Sequence, residues 1–156
     1  MVIRFRVDVD TTVSPEEAER AFTDFSARRT EIWSQLSKKL FKVYEVGNTW
    51  ADVREGSDKP IPVWAHERYD WSKPGTIKWT VLDSNFSLPG HSMVIEITPI
   101  AGGSHVTLHY ERGVYGVKGN IMGFMMRVFG KSVMAGYYKK TFADLATRLE
   151  RERSIS

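Results

Sequence analysis

The segment Trp64-Ala65-His66-Glu67-Arg68-Tyr69-Asp70 carries an imidazole, a guanidinium and a carboxylate at alternate positions. On a β-strand that spacing puts all three on one face. Against a core, such groups either pair at the sheet rim, Arg68 with Asp70 and His66 simply hydrogen-bonded, or form a polar patch in an apolar pocket. In the pocket, Arg68 would anchor a carbonyl, phenolate or carboxylate and His66 would move a proton, which makes these two the candidate catalytic residues.

Hairpin parity decides which face they take, because a slip of one residue inverts the whole set. Around Lys73-Pro74-Gly75 the next strand supplies Ile77, Trp79 and Val81. Parity sets these beside Trp64, His66, Arg68 and Asp70, with Ala65, Glu67, Tyr69, Thr76, Lys78 and Thr80 opposite. Ile77, Trp79 and Val81 need burial more than Lys78 and Thr80 do, so the first face is expected to point inward. Around Gly102-Gly103, Met93, Ile95, Ile97, Val106, Leu108 and Tyr110 form the core set, and Glu96, Thr98, His105, Thr107, His109 and Glu111 the outer one.

The elements that hold these strands announce themselves by period. Ile3, Phe5, Val7 and Val9 alternate with Arg4, Arg6, Asp8 and Asp10, a strand with one wet face. Ser14-Pro15-Glu16-Glu17 supplies an N-cap, a proline at the first helical position and a capping-box Glu for a short helix ending near Phe25. Ser26 is placed to cap a second helix carrying Ile32, Trp33 and Leu36. From about Leu40 to Val117 strands alternate with turns, and Gly119 to Arg151 reads as one long helix.

That helix is apolar nearly all round between Met122 and Phe129, and Met122, Met125, Met126 and Met134 are four of the chain's six methionines. A helix on one sheet needs a single stripe, so something beyond the sheet is expected to touch it. Methionine suits a surface that repacks around varied ligands, and equally fills an irregular core. Gly119, Gly123 and Gly130 point to close approach or mobility near its start.

Much chemistry is excluded. There is no cysteine, hence no disulfide, thiol nucleophile or iron–sulfur cluster. Two histidines on one strand, His105 and His109, are too far apart to share a metal, and no metal or cofactor is expected. Gly113-Val114-Tyr115-Gly116-Val117-Lys118-Gly119 has the wrong spacing for a dinucleotide fingerprint and reads as a flexible connection. A net charge of +3 does not suggest nucleic acid as a partner. Met1 leads directly into the first strand, without an apolar leader or an uncharged span long enough to cross a bilayer, so the expectation is a cytoplasmic protein.

Strand, two short helices, about six strands and a long helix in 156 residues describe a single α+β domain over residues 1–156, a curved antiparallel sheet wrapped around one helix. This order, with the Pro99-Ile100-Ala101-Gly102-Gly103-Ser104 hairpin, resembles the START-like polyketide cyclase and lipid-transport superfamily with the Bet v 1 helix-grip fold. The likeness covers nearly the whole chain. Trp64-Ala65-His66-Glu67-Arg68 is similar to the pocket-facing Trp-x-Ser-x-Arg segment of aromatic polyketide aromatase/cyclases, with His66 in place of Ser; the resemblance implies that Arg68 holds a polyketide oxygen.

The expected function is therefore binding of a hydrophobic lipid-, aromatic- or polyketide-like small molecule between sheet and helix, by a monomer or homodimer. Trp64, Trp79, Tyr110, Met125, Met126 and Phe129 would supply the walls, and His66 and Arg68 would orient the polar end. Two alternatives stand beside it. One is a cyclase or dehydratase in which Arg68 stabilises an enolate and His66 is the general acid or base. The other is a macromolecular or membrane-surface module using the apolar helix beside Arg127 and Lys131.

Overall fold

The computed structural model describes residues 1–156. The first strand, β1 (Val2–Thr11), buries Ile3, Val7 and Val9 as its alternation requires. Helix α1 (Pro15–Thr23) begins where Ser14 Oγ accepts from the Glu17 amide at 3.3 Å, and buries Ala18, Ala21 and Phe22. The next helix, α2, is a single turn (Arg29–Ile32). It is shorter than the Ile32, Trp33 and Leu36 spacing predicts: Trp33 leaves helical geometry and donates its indole N–H to the Ala21 carbonyl at 2.8 Å.

Six strands follow: β2 (Lys42–Val46), β3 (Trp50–Ser57), β4 (Val63–Asp70), β5 (Thr76–Ser84), β6 (Ser92–Ile100) and β7 (Gly103–Gly113). With β1 they form one seven-stranded antiparallel sheet in the order β1-β7-β6-β5-β4-β3-β2. The chain closes with α3 (Gly116–Ile155) lying against β1. Ile95 opposite Leu108 and Ile97 opposite Val106 put the predicted core set of the last hairpin inside.

Helix α3 starts three residues earlier than predicted, because Gly116 turns the chain at φ +71° immediately after Val114 and Tyr115. The interior glycines are a matter of close approach. A Cβ on Gly123 would fall 2.7 Å from Val114 Cγ2, and one on Gly130 would fall 2.9 Å from the Phe5 ring. These positions face the sheet, so the N-terminal half of the helix sits low on β1, while further along Tyr138, Phe142 and Leu145 fill the core.

The middle hairpin has the opposite parity to the one expected. Asp70 pairs with Lys78, Tyr69 with Trp79 and Glu67 with Val81. An odd number of residues, 71–77, separates the last pair, so odd-numbered residues of β4 share the inner face with odd-numbered residues of β5. Val63, Ala65, Glu67 and Tyr69 are buried, while Trp64, His66, Arg68 and Asp70 lie on the outer face of the sheet.

Candidate functional site

Three strands and one helical turn deliver ionisable groups to the inner face. Alternation in β3 (Ala51, Val53, Glu55) turns Glu55 inward, alternation in β4 turns in Glu67 and Tyr69, and the even series of β7 continues past Tyr110 to Arg112. Arg29 enters from α2. All five are buried and line a cavity of about 230 Å³, whose remaining wall includes Phe22, Trp33, Trp79, Phe86, Met134 and Tyr138. The cavity shares Gln35, Leu36 and Ser57 with an outer vestibule of about 680 Å³. That vestibule lies between residues 34–37, residues 57–60 and the α3 side chains Met122, Met125, Met126, Phe129 and Val133.

The five polar groups fall into two sets of different character. Arg29 has every guanidinium nitrogen bonded: its Nε and Nη2 donate to the two Glu55 oxygens at 2.9 and 3.2 Å, Nη1 to the Phe22 carbonyl at 2.7 Å, and Nη2 also to the Tyr69 hydroxyl at 3.0 Å. The Tyr69 hydroxyl in turn donates to Glu55 Oε1, and the guanidinium stacks 4.5 Å from the Phe25 ring centre. Burial works against the Arg29 charge, but Glu55 and Tyr69 outweigh it, so its pKa is raised. Burial, reinforced by Glu55, pushes the Tyr69 hydroxyl well up. This set is a strut, with its donors used internally.

Arg112 and Glu67 are a looser pair. Arg112 Nη2 reaches Glu67 Oε2 at 3.4 Å, Nη1 is buried with no hydrogen-bond partner in the protein, and the guanidinium lies 5.0 Å from the Phe86 ring centre. Burial dominates the Glu67 carboxyl and pushes its pKa up to about 7, with Arg112 only partly offsetting it and Glu55 adding to the rise. Burial likewise opposes the Arg112 charge, yet Tyr110 and Glu67 carry its pKa above the usual value. The cavity thus contains a permanent cation with a spare N–H beside a carboxyl that gains or loses its proton near neutral pH.

The residues singled out from sequence are distributed differently from expectation. Trp79 lines the inner cavity, and Met125, Met126 and Phe129 line the vestibule. Tyr110, expected in the wall, lines neither space: it is buried and stacked on Phe5 with ring centres 4.4 Å apart. Trp64, His66 and Arg68 are outside. Arg68 is bonded twice at 2.6 Å to Asp52 and lies over Trp50, its side chain 51% exposed. The His66 ring lies 4.5 Å from that of Tyr44, and Asp70 accepts from Ser72 rather than Arg68. No enolate or polyketide oxygen in the cavity is within reach of His66 or Arg68, so the mechanism built on them has no actors.

Glu55, Glu67, Tyr69 and Arg112 were all within reach of sequence reasoning. In β4 the odd series holds one charge and three residues suited to a core, whereas the even series holds three ionisable groups. That imbalance was a better guide than the turn, and extending the β7 series by two residues reaches Arg112. Arg29 gives no such signal, since a four-residue turn has no readable period.

A curved antiparallel sheet gripping a long C-terminal helix, with a lined cavity between them, defines a START/Bet v 1-like helix-grip domain. The chain belongs to the polyketide cyclase / dehydrase and lipid transport family, whose sequence profile matches residues 2–150. Solved structures share the fold at low identity. The Zhui aromatase/cyclase from a Streptomyces species is 14% identical with a TM-score of 0.73, covering 95% of each chain. A Thermus thermophilus protein is 14% identical with a TM-score of 0.71, covering 96% of this chain and 99% of its own. A START superfamily protein from Mycobacterium smegmatis is 11% identical with a TM-score of 0.71, covering 91% and 98%. No curated protein sequence matches the chain. No helix is long and apolar enough to cross a membrane.

Proposed function

We propose that the domain binds a hydrophobic small molecule, lipid-, aromatic- or polyketide-like, with an oxygen acceptor at its buried end and its apolar body running out along the methionine-lined vestibule. The observation that carries this reading is the unpartnered Arg112 Nη1 in the wall of a cavity that also presents Phe22, Trp33, Trp79 and Phe86. A buried donor without a partner forfeits a hydrogen bond, and a carbonyl, carboxylate or phenolate oxygen restores it. Size supports the same arrangement: about 230 Å³ is small for a complete ligand, and the vestibule of about 680 Å³ accommodates the rest.

The test is native mass spectrometry and tryptophan quenching against a panel of hydrophobic carboxylates, phenols and ketones, with Trp33 and Trp79 as reporters in the wall. Arg112→Gln is expected to weaken binding by roughly 10- to 100-fold, the worth of one charge-assisted hydrogen bond. Arg68→Ala, on the outer face, leaves it unchanged. A folded Arg112→Gln protein that binds as tightly as the wild type overturns the reading.

One observation favours a second reading, cyclase- or dehydratase-type chemistry. A Glu67 carboxyl titrating at about 7 suits a general acid or base, and Arg112 beside it would stabilise an enolate oxygen. Turnover of a poly-β-keto thioester that disappears in Glu67→Gln while binding persists supports this reading, and turnover indifferent to that change removes it.

A further inference from the structure

Seven exposed large apolar side chains, Val117, Ile121, Phe124, Met125, Val128, Phe129 and Val133, gather on the N-terminal half of α3. Val117, Ile121, Phe124 and Val128 follow one another at steps of four, three and four residues, a single stripe about 17 Å long. All four stand in solvent, Val117 79% and Phe124 62% exposed, because Gly119, Gly123 and Gly130 occupy the side of the helix that meets the sheet. No other element of the chain covers the stripe. The companion that the sequence demanded for this helix is therefore not within the fold.

Charge identifies what fits. From Gly116 through Ala143 there is no Asp or Glu, while Lys118, Arg127, Lys131 and Lys139 fall in that stretch without an acidic partner; Lys140, past the stripe, is paired with Asp144 at 2.9 Å. The positive end of the helix dipole adds to the same sign at Gly116. An apolar stripe flanked by cations matches an anionic lipid surface, into which apolar side chains sink while Lys and Arg meet the headgroups. A second copy fits less well. A two-fold contact would set these cations against their own copies with no acid on the face to pair with, and would close the adjoining vestibule. Continuity favours lipid as well, since Met125 and Phe129 of the vestibule are immediate neighbours of the stripe.

We propose that this face of α3 docks the domain on an anionic bilayer surface, with the helix lying in the interface and the vestibule opening onto it. The proposal stands on the exposed stripe and its charge and is read without ligand. Joined to the cavity reading, it supplies a route from acyl chains to Arg112 that never crosses water.

The experiment is flotation of the full chain, without added ligand, on vesicles of equal parts phosphatidylglycerol and phosphatidylcholine and on vesicles of phosphatidylcholine alone. Binding to the anionic vesicles is expected, at least about tenfold weaker on phosphatidylcholine and reduced by salt. Phe124→Ser with Val128→Ser removes two exposed groups that do not line the cavity or vestibule. With circular dichroism and the melting curve unchanged, it is expected to lower vesicle binding at least about tenfold. Wild-type protein that stays off both vesicles, binds them equally, or floats undiminished in the double variant overturns the proposal. So does sedimentation showing a wild-type dimer that the double variant dissolves, which assigns the stripe to a second copy. Ligand binding without flotation, or flotation without ligand binding, separates this proposal from the cavity reading.

Discussion

Replacing Glu67 by Gln tests the electrostatics of the cavity without changing its shape. Burial raises the Glu67 pKa to about 7 from the ordinary 4.5, so the folded protein binds this proton more tightly than the unfolded chain does. Stability must then fall as pH rises through the window between the two values, the reverse of the usual salt-bridged carboxylate. At 1.36 kcal/mol per pK unit, the titration removes about 2.5 kcal/mol of wild-type stability between pH 5 and pH 8. Glutamine mimics the protonated form and cannot titrate. Whatever constant offset the substitution introduces, the variant is expected to gain about 2.5 kcal/mol on the wild type across that interval, and the comparison cancels every other titrating group. Urea unfolding of both proteins at half-unit pH steps measures it. A difference that is flat with pH means that Glu67 titrates at an ordinary pKa, and one that moves toward the wild type as pH rises means that its pKa is lowered; either refutes the reasoning.

Other outcomes follow from the same geometry. Glu55→Gln or Arg29→Met leaves one partner of a buried pair uncompensated and is expected to cost about 3–5 kcal/mol in urea unfolding. Arg68→Ala breaks an exposed pair and is expected to cost at most about 1 kcal/mol. Gly123→Leu drives a side chain into Val114 and Ile3 and is expected to lower stability by about 1–3 kcal/mol, with loss of α3 protection in hydrogen exchange. The His105 ring donates from Nδ1 to Asp10 at 2.5 Å and from Nε2 to Asp8 at 2.9 Å, and these bonds, Asp10 first, raise its pKa. Their contribution is complete below the unfolded histidine pKa and is lost as pH rises through the folded one, so Asp10→Asn is expected to lower the His105 titration midpoint in an NMR pH series.

The parts of the fold that could be read from sequence are those in which local pattern and burial agree. Alternation in Ile3, Phe5, Val7 and Val9, the Ser14-Pro15 cap and the Gly102-Gly103 hairpin each leave one arrangement, and together they specify the element order of a helix-grip domain. The site was less legible because it hangs on the residue count of one turn. Pro74-Gly75 marks where the chain reverses but not how many residues lie between the last paired positions, and a change of one exchanges His66 and Arg68 for Glu67 and Tyr69. Charge could not arbitrate by itself, since both faces of β4 contain ionisable groups. The packing of Arg29 against Glu55 and Tyr69 joins residues 26 and 40 positions apart, which no local period encodes.

At the far end of the sheet, β2 pairs with β3 alone and every one of its residues is exposed. An open strand of this kind is a template on which another chain could lengthen the sheet. The register shift between Val43 and Glu45 interrupts its ladder, the displaced Tyr44 ring folds back onto His66, and Lys42 and Glu45 put opposite charges along the rim. Fibre growth by edge-to-edge addition is thereby discouraged at the terminus where nothing else shields the backbone. His66 thus underlies the irregular strand on the outer face of the sheet.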